Sequence, residues 1–119
     1  MLTYLTLNQS RASRSQLAHY LQRTGWLHFS QSGTFTEEML ACLQTEECAL
    51  VFLRLGSPDE LIPEPFLRVL QQHPAVVVTS PYPQQLFTHL DLRPLDFLTE
   101  PFSFDRFAAS MDKVVARFG

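Results

Sequence analysis

The sequence predicts an α/β domain, a parallel sheet with helices on both faces. Three observations carry this. Five short runs of β-compatible apolar residues alternate with five stretches whose apolar residues recur at helical spacing. Two inner runs, residues 49–53 (Ala-Leu-Val-Phe-Leu) and 75–78 (Ala-Val-Val-Val), are apolar without interruption, as suits strands covered on both sides. Strand–helix alternation then gives parallel strands, because the crossovers are right-handed.

The elements follow in order. Residues 2–7 (Leu-Thr-Tyr-Leu-Thr-Leu) read as a first strand, and Asn8, Gln9 and Ser10 as its exit loop. Residues 11–23 place Leu17, Ala18, Tyr20 and Leu21 at helical spacing, and Gly25 stands where a helix C-terminus favours glycine. Residues 26–29 give a short aromatic second strand, with Gln31, Ser32 and Gly33 as a loop. Thr34 or Thr36 caps the next helix, Glu37 and Glu38 sit in its first turn where the dipole favours anions, and Met39, Leu40 and Leu43 form its inner face. After the third strand at 49–53, a turn at Gly56, Ser57, Pro58 and Asp59 leads to a helix with Pro65 at its first position; Phe66, Leu67, Val69 and Leu70 face inward and Pro74 ends it. The fourth strand, 75–78, is followed by a Pro81-Tyr82-Pro83 loop and a short fourth helix over 84–92 carrying Leu86, Phe87 and Leu90. Residues 95–98 form the fifth strand. Glu100-Pro101 is a break, and Ser103 caps a last helix through Phe104, Phe107, Ala108, Met111, Val114 and Val115.

At 119 residues, 45% hydrophobic, the chain has the size and composition of one domain with a real core, so 1–119 is expected to be a single unit. A net charge of −3 argues against a nucleic-acid surface, and Arg11, Arg14 and Arg23 read as a solvated helix face. No apolar run is long enough to span a bilayer, and the first residues carry no basic flank or cleavage pattern, so a cytoplasmic protein with no membrane partner is expected. Cys42 and Cys48 lack metal-site spacing and read as reduced thiols. His19, His28, His73 and His89 are scattered without a partnered carboxylate, and neither Ser10 nor Ser80 lies in a Gly-x-Ser-x-Gly context. No metal, cofactor or enzymatic activity is expected.

Residues 96–107 (Asp-Phe-Leu-Thr-Glu-Pro-Phe-Ser-Phe-Asp-Arg-Phe) resemble the end of a receiver domain of two-component response regulators, the CheY-like superfamily, most closely of the LytR/AlgR type. That type has an aromatic, two aliphatics and Lys-Pro-Phe before its last helix; here the aromatic is Phe97 and the Pro-Phe is Pro101-Phe102. The resemblance extends over the whole chain. Leu50 to Leu53 matches the strand that ends in the phosphorylated aspartate, Pro58 a common proline after it, and Val76 to Tyr82 a strand ending in a hydroxyl residue, a small residue and a tyrosine. It implies the flavodoxin-like (βα)5 fold with strand order 2-1-3-4-5.

The resemblance also exposes what is missing. Two acidic residues and the acceptor aspartate hold Mg²⁺ in receivers; the first two positions are here Asn8 and Gln9, uncharged amides. Arg54 stands at the acceptor position and has no nucleophilic oxygen. Glu100 replaces the lysine that pairs with the phosphoryl group. Only the hydroxyl survives, as Ser80, with Thr79 the alternative. Arg54 and Glu100 reverse both charges of the family's site, so an ion pair between them is expected. The family also implies a cis peptide before Pro101 and a switch role for Phe97, whose counterpart rotates inward on phosphorylation.

These expectations describe a degenerate receiver, a signalling module that binds a protein partner or dimerises without phosphorylation. The surface implied is the face of the fourth helix, fifth strand and fifth helix, with Gln84, Gln85, Phe87, His89, Asp91, Arg106 and Lys113. The alternative is a working phosphorelay receiver with a non-standard acceptor, such as Asp59, controlling a LytTR-type DNA-binding output.

Overall fold

In the computed structural model, residues 2–45 and 48–118 are described. Five strands, β1 (Leu2–Leu7), β2 (Leu27–Gly33), β3 (Leu50–Arg54), β4 (Val76–Ser80) and β5 (Asp96–Thr99), form one parallel sheet in the order β2-β1-β3-β4-β5. Four α-helices accompany them: α1 (Arg11–Thr24), α2 (Glu37–Gln44), α3 (Glu64–Gln72) and α4 (Phe104–Phe118). This is the flavodoxin-like arrangement the resemblance implies.

The period-2 alternation of the central strands sorts the core into two clusters. Leu5, Leu7, Val51, Leu53, Val76 and Val78 pack with Met39, Leu43, Phe66 and Leu70 from α2 and α3. Tyr4, Leu50, Phe52, Val77 and Leu98 pack with Leu17 and Leu21 of α1 and Phe107, Met111 and Val114 of α4. Caps follow the sequence. Ser10 Oγ accepts from the Ser13 amide at the start of α1, Thr36 Oγ1 from Met39 at α2, and Ser103 Oγ from Arg106 at α4. Gly25 ends α1 at φ 81°, a conformation costly for a side chain with Cβ.

Three expectations need correction. The second strand runs to Gly33 rather than stopping at 29: a register shift between Tyr4 and Leu5 absorbs one extra β2 residue, and Gln31, Ser32 and Gly33 continue to pair with Leu5, Thr6 and Leu7. The fourth helix over 84–92 does not form. A 3₁₀ turn, Gln84–Phe87, stands in its place. The segment lies between Pro83 and Pro94, has no side-chain cap, and is too short for an α-helix to propagate. Finally, Leu86 and Val115 are exposed, at 47% and 49%, because each lies off the buried stripe of its element.

Candidate functional site

In open parallel sheets the crevice at the C-terminal strand ends, where strand order reverses, is where ligands bind. Here it lies beyond β1 and β3, and the residues that close these strands meet there.

Arg54, the last residue of β3, turns its guanidinium to Glu100, just past β5. Nε lies 3.3 Å and 3.2 Å from the two carboxylate oxygens, and Nη2 lies 3.1 Å from Oε1. The side chains are only 20% and 14% exposed, so the pair is drier than a surface ion pair. Parallel pairing delivers both ends to one place. Arg54 is in register with Thr79 of β4, and the Glu100 amide donates to the Ser80 carbonyl at 2.7 Å. The Glu100-Pro101 peptide is cis. Phe102, just beyond it, is buried, and its carbonyl accepts from the Tyr20 hydroxyl of α1 at 3.0 Å.

Asn8 follows β1 at φ 63°, a left-handed conformation that asparagine tolerates better than most residues. Its amide donates to the Gly33 carbonyl at 2.8 Å, and its side-chain Nδ2 donates to the Arg54 carbonyl at 3.1 Å. The same Nδ2 donates to Glu60 Oε1, while Glu60 Oε2 accepts from the Gly56 amide at 2.6 Å. Glu60 therefore clasps the loop after β1 to the loop after β3. A Cβ at position 56 would lie 3.3 Å from Arg54 Nη1, a tight contact, and 3.5 Å from Glu60 Oε2, an ordinary one. Sequence reasoning missed Glu60; it reads as one more polar residue of the Gly-Ser-Pro-Asp-Glu turn, and only the fold brings it to Asn8.

Gln9 and Ser80 stand aside. Gln9 Nε2 reaches the Phe52 carbonyl at 3.4 Å, and its Oε1 is buried with no hydrogen-bond partner among the described residues. Ser80 is fully buried, and its Oγ accepts from the Tyr82 amide at 3.1 Å within its own loop. Asp59 is exposed. The chemistry available is thus an arginine held by one carboxylate and an asparagine held by another.

Phe97 is buried at 7% exposure and packs on Phe87, with ring centroids 5.6 Å apart. Asp96 beside it, 8% exposed, was also missed as a centre of interactions. It accepts from Arg106 at 2.7 Å and 2.9 Å, from Lys113 at 3.1 Å, and from the Phe97 amide at 2.9 Å. Burial pushes its carboxyl up, but these donors together outweigh burial and hold it well below the usual carboxylate range. Of the surface expected around the fourth and fifth helices, Phe87 is therefore withdrawn into the core and Arg106 and Lys113 are tied to Asp96.

No protein-family model matches the chain, and no curated protein does. Solved structures do match. A response regulator from Thermotoga maritima superposes with a TM-score of 0.69 at 18% identity, covering 98% of both chains. The receiver domain of a two-component histidine kinase from Clostridium thermocellum gives 0.67 at 12% identity, covering 95% of this chain and 96% of that one. The anti-anti-sigma factor PhyR from Bartonella quintana gives 0.73 at 13% identity, covering 96% of this chain but only 47% of its own length. At such identities the likeness is one of fold: the chain has the CheY-like fold of receiver domains. Among the described residues, no helix is long and apolar enough to cross a membrane.

Proposed function

We propose that this chain is a degenerate receiver of the LytR/AlgR type, a signalling module that acts by contacting a protein partner or a second copy of itself, with no aspartyl phosphate as input. The observation that carries this reading is Arg54. It stands at the end of β3, where a receiver needs its nucleophilic carboxylate, and its guanidinium is engaged by Glu100 at 3.1 Å. A guanidinium cannot attack phosphorus, and Asn8 and Gln9 bring no charge to offset a divalent cation.

Two further observations support a domain fixed in one state. Arg54 with Glu100, and Glu60 with Asn8, link strand ends that a metal ion and a phosphoryl group link in a working receiver. Phe97 is already turned into the core, the orientation that phosphorylation induces in the family. The partner surface on this reading is the face of the 3₁₀ turn, β5 and α4, offering Gln84, Gln85, His89 and Asp91, with Arg106 and Lys113 still 42% and 53% exposed. Such a mixed surface suits a modest interface.

An amide NMR titration with Mg²⁺ and beryllofluoride tests the reading. Spectra unchanged around Asn8, Arg54 and Glu100 at millimolar metal agree with it. A saturable, Mg²⁺-dependent shift localised there would refute it. Sedimentation at micromolar concentration separates self-association from hetero-partners.

A further inference from the structure

The charge of this chain is unevenly placed. Its first 36 residues, which build β1, α1 and β2, hold Arg11, Arg14 and Arg23 and no aspartate or glutamate; all twelve acidic residues lie from Glu37 onward. In space the basic part is narrower: Arg11 and Arg14 line the α1 side of β2, while Arg23 stacks on Phe104 of α4 and α2, whose Cys42 contacts Gln31, brings Glu37 and Glu38 to the other side of that strand. Arg11 and Arg14 lie in the first turns of α1, where the helix dipole disfavours cations, and no acidic residue shares the first turn with them. Among the described residues neither forms an ion pair, and the one side-chain contact is Arg14 Nη1 to Ser32 Oγ at 3.5 Å.

These arginines stand at the mouth of a groove of about 440 Å³ between α1 and the outer strands. Its apolar lining comes from Tyr4 and Phe29 on the sheet and Leu17 and Leu21 on the helix. Phe29 is 57% exposed, an uncommon position for a phenylalanine, and meets Tyr4 edge-on at 5.6 Å. β2 is an outer strand, paired with β1 alone, and residues 28–31 along it are all exposed. An outer strand with exposed residues offers main-chain donors and acceptors to a further strand.

We infer that the outer edge of β2, with the groove between Phe29 and α1, takes up an extended acidic segment of a partner protein as an added strand. The main chain of that segment pairs with residues 28–31, an apolar side chain enters the groove against Phe29, and a carboxylate meets Arg11 and Arg14. Strand addition of this kind draws affinity from main-chain hydrogen bonds and specificity from pockets for alternate side chains. An acidic partner follows from Arg11 and Arg14, which have no ion-pair partner among the described residues, and from a groove lining that holds no carboxylate. The surface lies at the sheet edge opposite β5, so it stands or falls separately from the face proposed above.

The test is a selection of short random peptides displayed against the intact chain and, in parallel, against its Arg11→Glu/Arg14→Glu variant. Acidic residues in the first turn favour a helix, so the variant's α1 is not weakened; an Arg11→Gln/Arg14→Gln variant removes charge without reversing it. The expected result is enrichment, on the unaltered chain only, of peptides with acidic residues and alternating apolar ones. Their amide shifts should map to residues 28–31 and the first turns of α1. Affinity should fall about tenfold or more in the charge variants, as expected when close charge pairs are broken, and fall again with Phe29→Ala. The inference is overturned if no peptide prefers the unaltered chain, if the enriched peptides are neutral or basic, or if the shifts lie elsewhere. It is equally overturned if a single-stranded oligonucleotide or a second copy of this chain, rather than an acidic peptide, occupies the β2 edge.

Discussion

Arg54 and Glu100 face each other across the C-terminal edge of the sheet, joined by three donor–acceptor contacts of 3.1–3.3 Å. Each side chain is mostly withdrawn from water, at 20% and 14% exposure. Coupling between them should exceed that of an exposed pair and fall short of a fully buried one, about 2 kcal/mol. A double-mutant cycle with Arg54→Ala and Glu100→Ala, followed by urea unfolding, measures it. Coupling indistinguishable from zero would mean that the pair contributes nothing to holding the strand ends together.

Glu60 should matter as much, although nothing in the sequence singles it out. Glu60→Gln keeps the size of the side chain but removes the charge that the Gly56 amide and Asn8 Nδ2 donate to. Because hydrogen bonds to a charged group are the stronger kind, the expected loss is about 1–3 kcal/mol, with amide shifts at Asn8 and Gly56. Glu60→Gln matching the unaltered chain in both measurements would contradict the clasp.

How much was legible follows from these two contacts. The strand–helix alternation, the Ser10 and Ser103 caps and Gly25 are local signals, and each stands in the structure as local chemistry requires. The Arg54–Glu100 pair was legible only through the resemblance, which aligned two residues far apart in the chain. Glu60 and Asp96 were not legible, because an acidic residue in a turn or at a strand end looks solvated until the fold brings Asn8 or Arg106 to it. The fourth helix was overread: Leu86, Phe87 and Leu90 have helical spacing, yet Leu86 points to solvent and only Phe87 is fully withdrawn from it. The extra length of β2 was hidden by its polar residues, which lie along an exposed edge where alternation carries no signal.

His73 joins the end of α3 to the sheet. The Ala75 amide donates to Nδ1 at 3.1 Å, so Nε2 carries the proton and donates to the Cys48 carbonyl at 3.0 Å. Burial pushes the imidazole below its ordinary value, against the pull of the Cys48 carbonyl. A histidine depressed in the folded state contributes stability that is complete above its unfolded value of about 6.5 and is lost as pH falls through the folded value. Stability should therefore drop between neutral and mildly acidic pH, and His73→Gln should flatten that part of the profile. An NMR titration placing His73 at or above its ordinary value would contradict this.

Asp96 should set a second acid limit. Its carboxyl lies well below the usual range, so its contribution is present above the unfolded carboxylate value and lost as pH falls below it. Asp96→Asn should cost about 2 kcal/mol at neutral pH, moderated because the heads of Arg106 and Lys113 can rehydrate. The variant should also lose much of the acid destabilisation expected below about pH 4, the ordinary carboxylate range. Urea midpoints across that pH range check both statements.

On the reading proposed above, no carboxylate of this chain accepts a phosphoryl group. The most direct measurement is intact mass after incubation with phosphoramidate and Mg²⁺, followed by mapping of any adduct. The expected result is no Mg²⁺-dependent phosphoryl adduct on an aspartate or glutamate, and none after Arg54→Ala. A Mg²⁺-dependent, near-stoichiometric adduct mapped to Asp59, Glu60 or another carboxylate at the C-terminal edge of the sheet would contradict it.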